Sequence, residues 1–284
     1  MTHITALIDG SVYARSVCEH AAWAAWQTSA SVELLHVLGR RSTGSQPANL
    51  SGNLTLGARS DLLDKLASHD AEYAKLARER GRVILDAAKA ELEAAGVSEV
   101  TARLRLGDIV EAIKDVEADA ALIILGKRGE AADYAKDHLG SNLERIVRAA
   151  AKPVLVASQA FKPVARALIA FDGGPSAQKA VAHLAKGALL KGVAIDIVSV
   201  GEEAPERRAP LETAAEALRA GGLDATAHIL AGKPEDAIAG HIKAHDIDLL
   251  VMGAYGHSRL RNLFIGSTTT EMLRSSPVPV MLFR

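Results

Sequence analysis

Apolar positions along this chain fall into short, nearly unbroken runs, separated by longer stretches where they recur every three or four residues. The first half carries Ile4-Thr5-Ala6-Leu7-Ile8, Val32-Glu33-Leu34-Leu35-His36-Val37, Ala120-Ala121-Leu122-Ile123-Ile124-Leu125 and Pro153-Val154-Leu155-Val156-Ala157. The second carries Ala167-Leu168-Ile169-Ala170-Phe171, Val193-Ala194-Ile195-Asp196-Ile197-Val198-Ser199-Val200, Ile247-Asp248-Leu249-Leu250-Val251-Met252 and Pro279-Val280-Met281-Leu282-Phe283. Apolar runs of this length, alternating with helical stretches, predict strands buried on both faces, hence a parallel sheet covered by helices on both sides. Five strands per half is the count expected.

The two halves match in order as well as in kind, the signature of an internal repeat. The first run of each ends in Asp-Gly, at Asp9-Gly10 and Asp172-Gly173. Gly107-Asp108-Ile109-Val110-Glu111-Ala112-Ile113 parallels Gly232-Lys233-Pro234-Glu235-Asp236-Ala237-Ile238, and each penultimate strand leads through a glycine loop to a short helix and a last strand. The expected domains are residues 1–158 and 165–284, joined by Gln159-Ala160-Phe161-Lys162-Pro163-Val164. A linker this short predicts two closely packed domains. At a length of 284 residues, two domains is also the natural count.

The middles differ. Residues 39 to 58 read as a long polar loop rich in Gly and Ser. A helix from about Ser60 to Ala95 follows, with Leu62, Leu63, Leu66, Tyr73, Leu76, Ile84, Leu85, Ala88 and Leu92 near helical spacing. That stripe is expected to pack on the sheet, with a partner-binding groove as the minor alternative. The second half has only Gly201 to Ala209 and a short helix ending near Gly221-Gly222.

Composition narrows the class. Hydrophobic residues make up 49% and charged residues 24%, ordinary for a chain that buries a core, and only 4% are aromatic. Lys and Arg number 33 against 34 Asp and Glu, which supplies no basic footprint for nucleic acid. No apolar run approaches the roughly 20 residues needed to span a bilayer, and the N-terminus does not read as a signal peptide. The lone Cys18, expected on the buried face of the first helix, fits a reducing compartment, so a cytoplasmic location is expected.

The segment with the most chemistry is Gly253-Ala254-Tyr255-Gly256, followed after nine residues by Gly266-Ser267-Thr268. It leaves the carboxyl end of a buried strand, where open α/β sheets bind ligands, and ends at the start of a helix. Gly253 and Gly256 let the backbone approach a phosphate closely. Gly266 and Ser267 open the helix, whose free amides and positive end favour an anion, and the Ser267 and Thr268 hydroxyls add donors.

The spacing Gly-x2-Gly-x9-Gly-Ser after a strand ending Met-Gly resembles the ATP-binding signature of the universal stress proteins. The resemblance covers nearly the whole chain twice, with Asp-Gly after each first strand and Pro-Val in each last one, as in a tandem member. It implies a five-stranded parallel sheet in each half, an adenine nucleotide α-hydrolase-like, Rossmann-type fold, and binding of ATP, AMP or ADP with Mg2+ or Mn2+ optional. Carried over by position, it puts Asp172 and Val200 beside adenine and Gly253, Gly256, Gly266, Ser267 and Thr268 around ribose and phosphates. For Asp172 the competing role is a strand-end turn or helix cap. The resemblance also implies that the edge at the last strand can form the dimer contact, as in single-domain relatives. The two short last strands, expected at sheet edges, therefore suggest an intramolecular pseudo-twofold dimer. A homodimer and unidentified protein partners stay open.

The first copy departs from the pattern: Gly126-Lys127-Arg128-Gly129 is followed by ten residues before Gly140-Ser141. That interval holds Glu130, Asp133 and Asp137 against Lys136, a formal −2, while its counterpart holds Arg259 and Arg261, a formal +2. A triphosphate is attracted by the second loop and repelled by the first, at about 1 kcal/mol per close pair after screening. Asp9, Val37, Gly126, Gly129, Gly140 and Ser141 remain a weaker candidate site, since backbone amides need no particular side chain. Arg259 is expected as a solvated loop charge, Arg261 as either that or a phosphate clamp, His257 as an exposed loop histidine and His36 as a structural one.

No P-loop, Gly-x-Ser-x-Gly elbow, metal-spaced His/Cys cluster or nucleophile with a positioned base is read. Binding is therefore expected rather than turnover, with no catalytic residue and no metal ligand named. The alternatives are slow ATP hydrolysis or adenylyl transfer, or a scaffold that takes a protein or small apolar ligand through residues 39–95.

Overall fold

The computed structural model describes residues 3–39, 56–130, 140–254 and 266–284, with the side chains of 56–62 and of Ser141 left out. In the first half, β1 (His3–Leu7), β2 (Ser31–Leu38), β3 (Val100–Leu106), β4 (Ala120–Gly126) and β5 (Val154–Ala157) alternate with α1 (Ala14–Thr28), α2 (Leu56–Ala94), α3 (Ile109–Glu117) and α4 (Ser141–Ala149). In the second, β6 (Arg166–Ala170), β7 (Ala194–Val200), β8 (Asp224–Leu230), β9 (Leu249–Gly253) and β10 (Val280–Phe283) alternate with α5 (Pro175–Lys186), α6 (Pro205–Ala220), α7 (Pro234–Ala244) and α8 (Ser267–Ser275).

Among the described residues, ten strands form one sheet in the order β3-β2-β1-β4-β5-β10-β9-β6-β7-β8. Within each half every neighbouring pair is parallel. The expected edge position of the last strands does not hold. β5 and β10 pair with each other, antiparallel, through Val280↔Val156, Met281↔Leu155 and Leu282↔Val154. Their apolar sequences suit a central position buried on both faces, where neither presents unpaired backbone. β3 and β8 are the edges instead.

Side chains alternate along each strand, so one face of the sheet carries Ile4, Ala6, Leu122, Ile124, Ile169 and Val251, packed by α1, α2, α5 and α6. The opposite face carries Ile123, Leu125, Leu168 and Leu250, packed by α3, α4, α7 and α8. Cys18 is buried, as expected.

Two helices depart from expectation. The apolar stripe of α2 packs only in its C-terminal part: Leu85, Ala88 and Leu92 are buried, whereas Leu63, Tyr73 and Leu76 are about half exposed, at 47%, 48% and 57%. The first part of the helix runs past the end of the sheet. In the second half, α6 begins at Pro205 and takes up much of the segment expected as loop. Proline is a good first helical residue because its missing N–H has no intrahelical partner there, so Pro205 starts the helix rather than preventing it.

The connection between the halves is anchored at Asp248, which precedes β9. Its Oδ2 accepts the backbone N–H groups of Ala165 and Arg166, both at 3.0 Å, and Lys162 Nζ lies 2.7 Å from Oδ1. Phe161 stacks edge-on against His20 of α1 at 4.9 Å.

Candidate functional site

Both halves build the same strand-end turn. Asp9 Oδ1 accepts the N–H of Ser11 at 3.0 Å and Asp172 Oδ1 accepts that of Gly174 at 2.8 Å, each two residues on. This is the local turn that Asp favours, so the competing role weighed for Asp172 is present. Asp9 does more. Its Oδ2 accepts the N–H of Glu130 at 3.1 Å, which ties the loop after β4 to the end of β1.

The glycines that end β4 and β9 have a packing cause. A Cβ on Gly126 would stand 2.5 Å from Cβ of Tyr13, and one on Gly253 would stand 2.9 Å from Cβ of Ser176. Each lies against the start of the helix that follows the half's first strand, and no larger residue fits without movement. Gly129 and Gly140 converge, since a Cβ on Gly140 would lie 3.7 Å from the Gly129 nitrogen.

In the second half, the Gly266 N–H donates to the carbonyl of Ala254 at 3.2 Å, so the two ends of the loop are tied together. Thr269, which sequence reasoning missed, donates its hydroxyl to the Gly253 carbonyl at 3.1 Å and secures the same junction. α8 therefore starts beside the end of β9, and its first turn carries no acid, whereas that of α4 carries Glu144. Ser267 is exposed at the helix start. Thr268 spends its hydroxyl hydrogen on Glu235 Oε1 at 2.8 Å. A backbone N–H, the Thr268 hydroxyl and Lys233 hold the Glu235 carboxyl below the usual range against its slight desolvation. Gly256, His257, Arg259 and Arg261 lie outside the described residues.

Val37 and Val200 sit half-buried at the ends of β2 and β7. A further unforeseen residue, Arg207 of α6, donates from Nη1 to the Val200 carbonyl at 3.0 Å and from Nε to the Glu202 carbonyl at 3.1 Å. Its guanidinium crosses Gly201, where a Cβ would come within 2.5 Å of it. Nothing in the local pattern around Gly201 announces that contact.

The first half holds a cavity of about 1230 Å³ at the carboxyl ends of its strands, lined among others by Asp9, Val37, Gly126, Gly129 and Gly140. These are the first-copy candidates other than Ser141, whose side chain is outside the described residues. α2 closes one wall with Tyr73, Leu76, Ala77, Arg80 and Ile84. The charges among the lining residues balance, with Arg80, Lys127, Arg128 and Arg145 against Asp9, Asp108, Glu111 and Glu130. Glu130, one of the acids expected to repel phosphate, is paired with Arg80, and Asp108 caps α3 while paired with Arg145. Lys127 is half-buried, which with Arg128 nearby lowers its pKa, and its Nζ donates to the Ser276 carbonyl at 3.3 Å. His36 is buried with Nδ1 2.6 Å from the Ile8 carbonyl, a structural bond as expected.

The model of the universal stress protein family matches residues 1–158 and 201–284. The chain belongs to the universal stress protein family. It is 38% identical over 287 residues to a universal stress protein of Synechocystis sp., covering 100% of both chains. A universal stress protein of Thermus aquaticus is 30% identical over 132 residues, 41% of this chain and 96% of that one, as a single repeat would be. The crystal structure of a universal stress protein from Archaeoglobus fulgidus superposes with a TM-score of 0.73 at 22% identity, covering 99% of this chain and 98% of that one, and shows the same fold. Among the described residues no helix is long and apolar enough to cross a membrane.

One side-chain cluster lies outside the strand-end sites. Its histidines are His241 and His245, and the fold brings Asp196 to them. The His-x3-His spacing on a helix is the available signal. Asp196 gives no such signal, because it lies 45 residues away from His241.

Proposed function

We propose that this universal stress protein binds an adenine nucleotide, ATP or AMP, at the carboxyl ends of its strands, and that the second half holds it more tightly. One observation carries this: the Gly266 N–H bonded back to the Ala254 carbonyl at 3.2 Å. That bond sets the free amides of the α8 first turn beside the end of β9, with no acid in that turn to occupy them. A phosphate group supplies the missing charge there. The Gly-x2-Gly-x9-Gly-Ser spacing and the formal +2 of the intervening loop support the same assignment. Asp172 and Val200 take the adenine side, and Gly253, Gly256, Gly266, Ser267 and Thr268 the ribose and phosphates. Thr268 contributes its backbone amide, because its hydroxyl is engaged with Glu235.

In this proposal the protein responds to stress in the cytoplasm by nucleotide occupancy rather than turnover, through two modules, residues 1–158 and 165–284. Mass spectrometry of small molecules released from the purified protein tests it. Recovery of adenine nucleotide at a substantial fraction of the protein concentration supports the proposal. Its absence, together with no thermal shift when ATP is added, refutes it.

A second reading is favoured by the cavity of about 1230 Å³ and its apolar α2 wall. That volume exceeds the roughly 300–1,000 Å³ of usual small-molecule pockets. The first half then takes a small apolar ligand against Tyr73 and Leu76. Binding of an apolar fluorescent probe that is lost in Tyr73→Ser/Leu76→Ser but unaffected by ATP supports this reading; displacement by ATP opposes it.

A further inference from the structure

The face of the sheet covered by α7 carries a cluster that the strand-end clefts do not use. Asp196 is the third residue of β7 and shares a face with Val198, two residues on, which packs in the α7-side core. Its carboxylate is buried, and burial of a lone charge demands partners. His241 Nε2 lies 2.8 Å from Asp196 Oδ2, His228 Nε2 lies 3.6 Å from Oδ1, and Arg166 Nη2 lies 3.6 Å from Oδ2. The imidazole of His245 stacks on that of His241 with ring centroids 4.0 Å apart and planes 22° from parallel.

A structural pair needs one histidine for one carboxylate. Here three imidazoles collect around Asp196, and two of them sit four residues apart on one helical face. The His245 N–H donates to the His241 carbonyl at 3.0 Å, so the helical turn persists through His245. One ligand atom each from Asp196, His241 and His245 lies within 4.8 Å of the others. An open groove of about 360 Å³, lined by Gly240, His241, Ala244 and His245 among others, leads to them from the β8 edge.

We propose that Asp196, His241 and His245 form a binding site for a divalent transition-metal cation of the Zn2+ type. Two imidazole nitrogens and one carboxylate oxygen suit such a cation, whereas Mg2+ and Ca2+ prefer all-oxygen shells. Tetrahedral coordination at about 2.0–2.1 Å spaces ligand atoms about 3.3 Å apart. The buried Asp196–His241 pair is already close to that, and the exposed His245 supplies the remaining adjustment by side-chain rotation. Water completes the shell from the groove. His228 holds the second carboxylate oxygen as an outer partner. Arg166, whose side chain is 43% exposed, turns to solvent as the cation replaces its charge.

The site is separate from the nucleotide. Asp196 precedes Val200 by four residues, which places it about 13 Å back along the strand at roughly 3.3 Å per residue. Bound metal links α7 to β7, next to the β8 edge of the sheet, so it stabilises the second half without contacting phosphate.

The test uses tag-free, full-length protein freed of metal with EDTA and studied without nucleotide. Calorimetric titration with ZnCl2 is expected to give one equivalent bound and a raised thermal midpoint. Co2+ is expected to give visible absorption of a tetrahedral site. His245→Ala changes an exposed side chain, so it is expected to keep the metal-free melting curve and to lose at least tenfold in Zn2+ affinity. Asp196→Asn provides a second variant with the same expected loss. Wild-type protein that binds no Zn2+, Zn2+ affinity unchanged in His245→Ala, or MgCl2 competing on equal terms would each overturn the proposal.

Discussion

The Gly266 N–H and the Ala254 carbonyl meet at 3.2 Å across a loop whose ends are twelve positions apart in sequence. The contact fixes where α8 begins relative to β9 and hence where its unpaired amides point. Gly266 has φ −58°, which suits proline, so Gly266→Pro deletes the N–H with little demand on its own backbone angle. The expected stability loss is about 1 kcal/mol, the net value of one such bond. ATP affinity is expected to fall at least tenfold. Urea unfolding and calorimetry on the same preparation separate the two effects.

Gly126 tests the packing cause given to the strand-end glycines. Gly126→Ala places a methyl 2.5 Å from Cβ of Tyr13. Overpacking of this kind costs about 1–3 kcal/mol, and the expected result is a lowered denaturation midpoint. Tyr13→Gly in the same chain removes the Cβ that this methyl meets and is expected to recover part of the loss, by the logic of a double-mutant cycle.

Asp248 anchors the connection between the halves. Burial raises its carboxyl pKa, but Lys162 and the amides of Ala165 and Arg166 outweigh that and hold it below the usual value of 3.8. With the folded value depressed, the contribution is present above about pH 3.8 and is lost as pH falls through the folded value. Asp248→Ala leaves two backbone N–H groups without their acceptor, expected to cost about 1–3 kcal/mol. Acid unfolding followed by circular dichroism is expected to begin at higher pH in the variant.

Cys18 is inert by placement. Burial, followed by the nearby Glu91 and Glu19, pushes its thiol pKa up to about 12. The thiolate is the reactive form, so the native protein is expected to resist iodoacetamide at pH 8 and to be labelled fully once unfolded. The raised value also favours the folded state fully below the ordinary thiol value of 9.0, a contribution lost as pH rises towards about 12.

Much of the scaffold was legible because eight of the ten strands are nearly unbroken apolar runs and the repeat supplies them twice. The edge strands β3 and β8 carry Thr101, Arg103 and Arg105, and Asp224, Thr226 and His228, and form no such run. The long helix α2 was legible in extent but not in packing. Its stripe continues through Leu63, Tyr73 and Leu76, and sequence periodicity cannot show that the sheet ends before the helix does. α6 reads as shorter than it is because Gly201 to Ala209 reads as separate from the helix, whereas Pro205 starts it and Pro210 lies inside it. In the candidate site, the glycines were visible as letters but their causes were not. Gly126 and Gly253 are required by Tyr13 and Ser176, distant in sequence. Arg207 over Val200, Thr268 on Glu235, and Asp196 between His228 and His241 depend on crossovers that bring separate segments together. No local pattern encodes them.

Nucleotide capture by the second half is tested most directly by titrating ATP into three proteins: wild type, Gly266→Pro and Gly129→Arg. The predicted result is saturable heat with wild type and Gly129→Arg, and affinity at least tenfold weaker with Gly266→Pro. At a ligand concentration of 100 times Kd, wild type is expected to gain about 2.7 kcal/mol of stability. No heat from wild type, or affinity lost in Gly129→Arg and kept in Gly266→Pro, would contradict the assignment.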